Sequence, residues 1–219
     1  MSYEEVLNLF KNCIFEDLCE DAYDEQILAN LPENLDYIYE SGATKVVFII
    51  ENLDYVIKIP FHGSIEYAYS EDEEDIFEEF HGAVVVEGSN CWDYCKKEVF
   101  YYQRAKEKNM EKFFLETSIL GYGNDNYPIY MQPKAKIFNY SKSKSLSEEE
   151  QIVNNRLRSK CDTWLSGRWI RDAINWYGED EVEKLLNFIN DEKINDLHSG
   201  NLGYLNNRPV IIDYAGYNH

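Results

Sequence analysis

The most informative part of the sequence spans residues 195–216 and reads NDLHSGNLGYLNNRPVIIDYAG. Two carboxylates and one amide stand out in it, namely Asp196, Asn201 and Asp213. A carboxylate on a loop can orient an attacking hydroxyl group and accept its proton, while a carboxylate and an amide oxygen together can hold Mg²⁺ on phosphates. Asp213 follows the apolar run at 210–212, where a carboxylate needs a partner if it is buried. The stretch therefore predicts phosphoryl-transfer chemistry.

The spacing of these three residues resembles the catalytic loop and the metal-binding aspartate of the protein-kinase-like superfamily. Asn201 follows Asp196 by five residues, and Asp213 comes twelve residues after that. The order Asp-Leu-His-Ser-Gly-Asn is more similar to the aminoglycoside and choline phosphotransferases than to ordinary protein kinases. The resemblance implies that Asp196 is the catalytic base and that Asn201 and Asp213 are the metal ligands.

Two stretches of the first half resemble the phosphate-binding elements of the same superfamily. The loop at 41–46 is similar to the one that covers the phosphates, with Gly42, Ala43 and Thr44 as the implied contacts. It has a single glycine, so its backbone approaches the phosphates less freely than a glycine-rich loop does. The next strand resembles the one whose lysine, here Lys58, contacts the α and β phosphates.

Two further stretches follow in the order that the superfamily requires. The helix around 97–101 is similar to the one whose glutamate pairs with the phosphate-binding lysine, which implies a pairing of Glu98 with Lys58. The stretch at 130–134 is similar to the hinge that binds adenine through its backbone. Because Pro133 has no N–H group, we expect the Gln132 carbonyl and the Lys134 amide to make these bonds.

The resemblance implies an α+β fold with two lobes, in which MgATP lies between an antiparallel-sheet N-lobe and a reduced helical C-lobe. We expect one kinase-like domain over 1–219, with a helical extension at 1–36, an N-lobe at 37–133, an acidic insertion at 62–92 and a truncated C-lobe at 134–219. Only six residues follow Asp213. This truncated architecture is similar to that of small bacterial effector kinases, which rely on a partner for full activity.

Hydrophobic periodicity and turn signals give a secondary-structure prediction of their own. We predict helices within 2–30, 92–107, 147–164 (capped by Ser147) and 179–190. We predict strands at 45–50, 55–59, 117–122 and 129–131, and a final hairpin over 201–212 that turns at Asn206 and Asn207. A turn is expected at 31–34, and the Ser-Lys alternation at 141–145 is the nearest approach to a linker.

Composition excludes several classes of protein. The chain has 219 residues with 44% hydrophobic and 15% aromatic residues, which is too apolar for a disordered protein. No apolar run has the ~20 residues of a membrane span, and the N-terminus has no signal-peptide pattern. A net charge of −20 disfavours direct binding to nucleic acid or to an anionic membrane. We expect a cytoplasmic protein, or one delivered into a host cell, with a basic protein as a possible partner or activator.

Three local features of the sequence are each open to two interpretations. The five scattered cysteines do not predict a disulfide framework, and Cys91 and Cys95 are either idle thiols or, less readily, zinc ligands. His198 either positions a phosphate or metal or packs within its loop. The acidic run at 71–75 is either a solvated surface or a recognition site for a basic partner.

The sequence therefore predicts an ATP- and Mg²⁺-dependent phosphotransferase that moves the γ-phosphate to a hydroxyl group on a protein or a small molecule. The alternative is a weak or inactive pseudokinase that acts as an interaction protein through its acidic surface. A third class, an acidic mimic of nucleic acid, needs only charge and would make no use of Lys58.

Overall fold

A computed structural model describes residues 1–12, 28, 31–42, 44–60, 63–67, 83–87, 94–159 and 165–215. Within these residues the chain divides into two units. The first is drawn from Met1–Tyr94 and Ser118–Met131, and the second from Cys95–Thr117 and Gln132–His219. No helix in the described residues has the length and apolar character needed to cross a bilayer.

Helices and antiparallel strands are both present, so the predicted α+β class is confirmed. The helices of the described residues are α1 (Tyr3–Phe10), α2 (Tyr94–Glu107), α3 (Glu148–Arg158), α4 (Gly167–Tyr177) and α5 (Glu179–Asp191). The strands are β1 (Tyr37–Ser41), β2 (Lys45–Ile50), β3 (Tyr55–Pro60), β4 (Gly63–Tyr67), β5 (Ala83–Glu87), β6 (Ser118–Tyr122), β7 (Pro128–Pro133), β8 (Lys136–Ile137), β9 (Leu202–Leu205) and β10 (Arg208–Ile211).

The first unit is organised around a five-stranded sheet with the order β1-β2-β3-β7-β6. Strands β2 and β3 pair antiparallel, with Phe48 opposite Ile57, and this confirms the hairpin predicted for 45–59. Both side chains are fully buried in a core that includes Phe10 of α1. Because successive side chains on a strand point to opposite faces, Lys58 lies on the face away from this core.

Helix α1 covers the described start of the helical region predicted at 2–30. Ser2 caps it, since the Ser2 hydroxyl accepts a hydrogen bond from the Glu5 backbone N–H at 3.2 Å and the Glu5 carboxylate accepts one from the Ser2 N–H at 2.6 Å. The rest of that prediction, apart from residues 11, 12 and 28, lies outside the described residues. The turn predicted at 31–34 is present.

The predicted acidic insertion at 62–92 contains two described strands. Strands β4 and β5 pair antiparallel, with Ile65 opposite Val85, as a two-stranded sheet. In these two segments the chain is therefore extended. The run at 71–75 itself lies outside the described residues, as does Cys91.

The second unit combines helices α2 to α5 with the three-stranded sheet β10-β9-β8. Its core includes the fully buried side chains of Trp169, Leu185 and Leu202. Helix α3 begins with the predicted Ser147 cap, whose hydroxyl accepts from the Glu150 N–H at 3.2 Å. It ends at Arg158, and residues 160–164 lie outside the described residues. Helices α2 and α5 match their predicted positions to within two residues.

The linker suggested at 141–145 is wrong, because this segment is bound to α4 within the second unit. The Arg168 guanidinium donates to the carbonyls of Tyr140 and Ser143 at 2.7 and 2.8 Å. The Arg171 guanidinium donates to the carbonyl of Lys144 at 2.9 Å. Helix α4 was not predicted from the sequence, and so these contacts could not be foreseen.

The hairpin of β9 and β10 confirms the prediction for 201–212. Its two turn residues have φ angles of 53° (Asn206) and 67° (Asn207), which is the left-handed pair that a type I′ turn needs and that asparagine tolerates. The register places Gly203 opposite Val210. A Cβ atom at Gly203 would lie 2.6 Å from the Lys136 carbonyl oxygen of β8, so the close approach of β8 and β9 requires glycine.

We predict that Gly203→Ala lowers the free energy of unfolding by about 1–3 kcal/mol, because the strands must separate to admit the methyl group. Gly42→Ala is the matched control, since its Cβ would meet only the Lys45 carbonyl oxygen, at an ordinary 3.7 Å. It should change the free energy by less than about 0.5 kcal/mol. Urea denaturation measures both values, and equal effects would contradict the packing described for β8 and β9.

Candidate functional site

The loop that carries Asp196 follows α5 directly and is anchored by buried apolar residues on both sides of the aspartate. The backbone N–H of Ile194 donates to the Ile189 carbonyl at 2.9 Å, which ties the start of the loop to the end of α5. Ile194 and Leu197 are 2% and 0% exposed. The Asp196 side chain remains one-third exposed between these two anchors. The alternation of buried and accessible positions holds the loop in place and keeps the Asp196 side chain at the surface.

The backbone of Asp196 adopts a left-handed conformation, with φ of 58°. Aspartate and asparagine tolerate this region better than other residues with a side chain. The Asn201 amide nitrogen Nδ2 donates to the Asp196 carbonyl oxygen at 2.6 Å. This bond closes the loop over five residues and fixes the backbone from which the Asp196 carboxylate projects.

Asn201 also binds the segment that leads to Asp213. The Asn201 carbonyl oxygen accepts from the backbone N–H of Ile212 at 2.8 Å and, more weakly, from that of Asp213 at 3.4 Å. One residue therefore connects all three members of the predicted motif. Because Nδ2 is directed at a carbonyl, the amide oxygen Oδ1 lies on the other side of the group, where it is able to accept a further contact.

His198 lies in the same loop and caps the 3-10 turn Ser199–Asn201. Its Nδ1 atom accepts from the Gly200 N–H at 3.1 Å, so the neutral ring carries its proton on Nε2. That Nε2 atom is 3.9 Å from the Asp196 carboxylate, which is beyond hydrogen-bond distance. The ring is half exposed. The His198 side chain thus contacts the loop backbone, which supports the loop-packing interpretation for Nδ1 and leaves Nε2 accessible.

A buried polar cluster lies behind Asp213 in the same unit, and we call it the Gln132 cluster. It consists of the Glu98 carboxylate, the Thr117 hydroxyl, the Gln132 amide and the Ile212 carbonyl. The Thr117 hydroxyl donates to Glu98 Oε2, and Gln132 Nε2 donates to the Thr117 oxygen at 3.0 Å and to the Ile212 carbonyl at 2.8 Å. Glu98 and Gln132 are fully buried, so these bonds replace water at Glu98 Oε2 and Gln132 Nε2.

Tyr214, the residue after Asp213, is also fixed by a buried hydrogen bond. The Tyr214 hydroxyl is buried and donates to the Leu115 carbonyl at 2.6 Å. Burial, together with the nearby Glu98 carboxylate, raises the pKa of Tyr214 well above its usual value. The phenol therefore stays protonated and keeps its hydrogen bond across the working pH range. Since Ile212 and Tyr214 are both held, Asp213 lies between two fixed neighbours.

The remaining predicted residues are placed as follows. In the first unit, the Gly42 N–H donates to the Lys45 carbonyl at 3.0 Å, Thr44 is half-buried and the Lys58 side chain is 2% exposed. Ala43 lies outside the described residues. In the second unit, Lys134 is exposed. The predicted binding of adenine by the Gln132 carbonyl and the Lys134 amide, and the pairing of Lys58 with Glu98, stay predictions.

The residues present suit Mg²⁺ bound through a nucleotide. Among the residues that the structure describes, no group of three or more His, Cys, Asp or Glu side chains converges on a metal position. Mg²⁺ that bridges phosphates needs only one or two protein carboxylates, because phosphate oxygens and water supply its other ligands. The Asp213 carboxylate and the Asn201 amide oxygen meet that requirement in number and in type.

Comparison with models of known protein families finds no match. Comparison with curated proteins finds none either. Assignment of a function therefore depends on the motif and on the geometry of the loop and of the Gln132 cluster.

Sequence reasoning missed the roles of Thr117, the Gln132 side chain and Tyr214. One signal was available for Gln132, because it alternates with Tyr130 on a strand and so falls on the same, buried face. An amide at such a position predicts hydrogen-bond partners. The identity of those partners depends on residues far apart in the chain.

We predict that the left-handed backbone of Asp196 is visible in stability measurements. Asp196→Ala should lower the free energy of unfolding by about 1 kcal/mol relative to Asp196→Asn, because alanine is strained in this conformation and asparagine is not. Urea denaturation at neutral pH measures the difference. If the alanine variant is as stable as the asparagine variant, the left-handed conformation of the loop at Asp196 is wrong.

Proposed function

We propose that the protein is an ATP- and Mg²⁺-dependent phosphotransferase with a kinase-like two-lobe fold, which transfers the γ-phosphate to a hydroxyl acceptor on a protein or a small molecule. The observation that carries the proposal is the double engagement of Asn201, whose side chain binds the Asp196 backbone and whose carbonyl binds the backbone at 212–213. These hydrogen bonds connect the backbone of Asp196, Asn201 and Asp213, which supports a shared role for the three motif residues.

In this proposal the metal is held by the Asp213 carboxylate and the Asn201 amide oxygen. Bound Mg²⁺ would neutralise charge on the phosphates and on the leaving group. The protein needs that neutralisation more than most, because its own net charge is −20 and would repel a triphosphate. The fixed backbone on each side of both ligands reduces the reorganisation that metal binding requires.

Asp196 has the role of orienting the acceptor hydroxyl and receiving its proton. Its carboxylate is partly exposed, so a substrate has access to it, while its backbone carbonyl is occupied by Asn201. Phosphoryl transfer passes through a loose transition state, in which positioning contributes most of the rate and the base contributes less. A loop fixed at Ile194, Leu197 and Asn201 suits that requirement.

Lys58 has the role of binding the phosphates. It lies on the face of β3 opposite the apolar core, and its side chain is almost completely buried. A strand position is more rigid than a loop, which favours a fixed distance between the lysine nitrogen and the phosphates.

We predict that ATP with Mg²⁺ raises the melting temperature of the wild-type protein and that EDTA abolishes the increase. Ligand at about 100 times its dissociation constant stabilises a protein by about 2.7 kcal/mol, which is readily detected. Asp213→Ala should lose the Mg²⁺-dependent part of the shift. Asp191→Ala, which removes an exposed carboxylate at the end of α5, is the matched control and should keep it.

Release or transfer of the γ-phosphate in the same samples separates an active enzyme from a pseudokinase. Asp196→Asn should retain the nucleotide-induced shift and lose transfer, because it removes the base and keeps both metal ligands. If wild type binds MgATP but shows no transfer to any acceptor or to water, the pseudokinase alternative replaces the proposal. If wild type shows no shift at all, the phosphotransferase proposal is wrong and the interaction-protein alternative remains.

A further inference from the structure

The Gln132 cluster is directional, because the donor and the acceptor of each of its short hydrogen bonds are assigned. The Thr117 hydroxyl gives its only hydrogen to Glu98 Oε2, so the Thr117 oxygen must act as an acceptor toward Gln132 Nε2 at 3.0 Å. The second hydrogen on Nε2 goes to the Ile212 carbonyl at 2.8 Å. The amide is therefore oriented from both ends, by a carboxylate-bound hydroxyl on one side and by the backbone before Asp213 on the other.

The peptide unit between Ile212 and Asp213 is held at its two polar atoms. Its carbonyl oxygen accepts from Gln132 Nε2, and its N–H points to the Asn201 carbonyl oxygen at 3.4 Å. The N–H of Ile212, one peptide earlier, is bound to the same Asn201 oxygen at 2.8 Å. Because a peptide unit is planar, fixing both of its polar atoms fixes the direction in which Asp213 leaves the strand.

Among the described residues, the Gln132 side chain makes no other short hydrogen bond. It is completely buried, and its oxygen Oε1 accepts no hydrogen bond from any residue that the structure describes. A third contact, to the Leu115 carbonyl, is long at 3.4 Å. An amide held only through its donors, with its acceptor unsatisfied in the described part of the chain, costs stability relative to an apolar side chain. Such a cost indicates a role in positioning rather than in packing.

We propose that Gln132 is a positioning residue for Asp213, connecting the Glu98 carboxylate to the peptide that orients the metal-binding side chain. The inference rests on the proposed function of Asp213. It assigns to the Gln132 side chain a task distinct from the adenine contact predicted for its backbone carbonyl. The chain from Glu98 to Asp213 lies wholly within the second unit, and it consists of three hydrogen bonds between named atoms followed by the peptide unit that joins Ile212 to Asp213.

Gln132→Met tests the proposal, because methionine is similar in length and cannot donate a hydrogen bond. We expect the backbone amides of Ile212 and Asp213 to exchange with solvent about tenfold faster, and the affinity for ADP with Mg²⁺ to fall about tenfold. Gln151→Met is the matched control, since Gln151 is exposed on α3 and donates to the Leu146 carbonyl at 3.2 Å. It should leave both quantities unchanged.

Substitutions at Thr117 supply a second route that does not touch Gln132. Thr117→Val keeps the shape and removes the hydroxyl, so it should reproduce the faster exchange at Asp213 even if Gln132→Met fails to fold. Thr117→Ser keeps the hydroxyl and should restore slow exchange. A purely structural role would make the serine and valine variants similar, since both lose native contacts.

The two readouts separate the positioning role from the proposed function. Unchanged exchange of the Asp213 amide in folded Gln132→Met and Thr117→Val would overturn the positioning role. Faster exchange in both, with no binding of ADP to the wild type at any Mg²⁺ concentration, would support the positioning of Asp213 and overturn the phosphotransferase proposal. Faster exchange with unchanged ADP affinity would overturn the link between Gln132 and the metal site.

Discussion

The hydrogen bonds of Asn201 are the constraint on which the site depends. Its side chain binds the Asp196 carbonyl at 2.6 Å, and its own carbonyl binds the Ile212 N–H at 2.8 Å. Residues that are five and twelve positions apart in the sequence become neighbours through these two bonds. These two bonds fix the position of the Asp196 loop relative to the segment that follows β10.

The second constraint is the burial of polar groups behind the site. Glu98, Thr117 and Gln132 are all buried, and an unsatisfied group at such depth costs free energy comparable to a lost hydrogen bond or more. A network of this kind stabilises one arrangement and penalises every alternative in which a donor loses its acceptor. The peptide at 212–213 is part of the network, so the direction of Asp213 is determined by the interior of the unit as well as by the loop.

Local signals in the sequence were sufficient for elements whose geometry is set by adjacent residues. The hairpin at 201–212 was predictable because two asparagines suit a left-handed turn, and α3 because Ser147 and Glu150 form a capping box. The three motif residues were found by spacing. Helix α4 was missed although Trp169, Ile170 and Ala173 recur at helical intervals and are fully buried, because the sequence at its start has no Glu or Gln to form a capping box with Ser166.

The Gln132 cluster was beyond local prediction for a physical reason. Its members come from positions 98, 117, 132 and 212, so no short window of sequence contains two of them. Their proximity results from the fold of the second unit, in which the N–H of Leu115 donates to the Ile211 carbonyl at 2.9 Å. Sequence reasoning identified Glu98 and Gln132 by resemblance, but only the tertiary contacts connect them to Asp213.

Paramagnetic relaxation tests directly whether Asn201 and Asp213 hold a metal ion on a nucleotide. With Mn²⁺ in place of Mg²⁺ and ADP at saturating concentration, the side-chain amide signal of Asn201 and the backbone signal of Asp213 should broaden selectively in NMR spectra. The side-chain signal of Asn175, which is exposed on α4, should stay sharp. Sharp signals from Asn201 and Asp213 with Mn²⁺ and ADP both present would contradict the account.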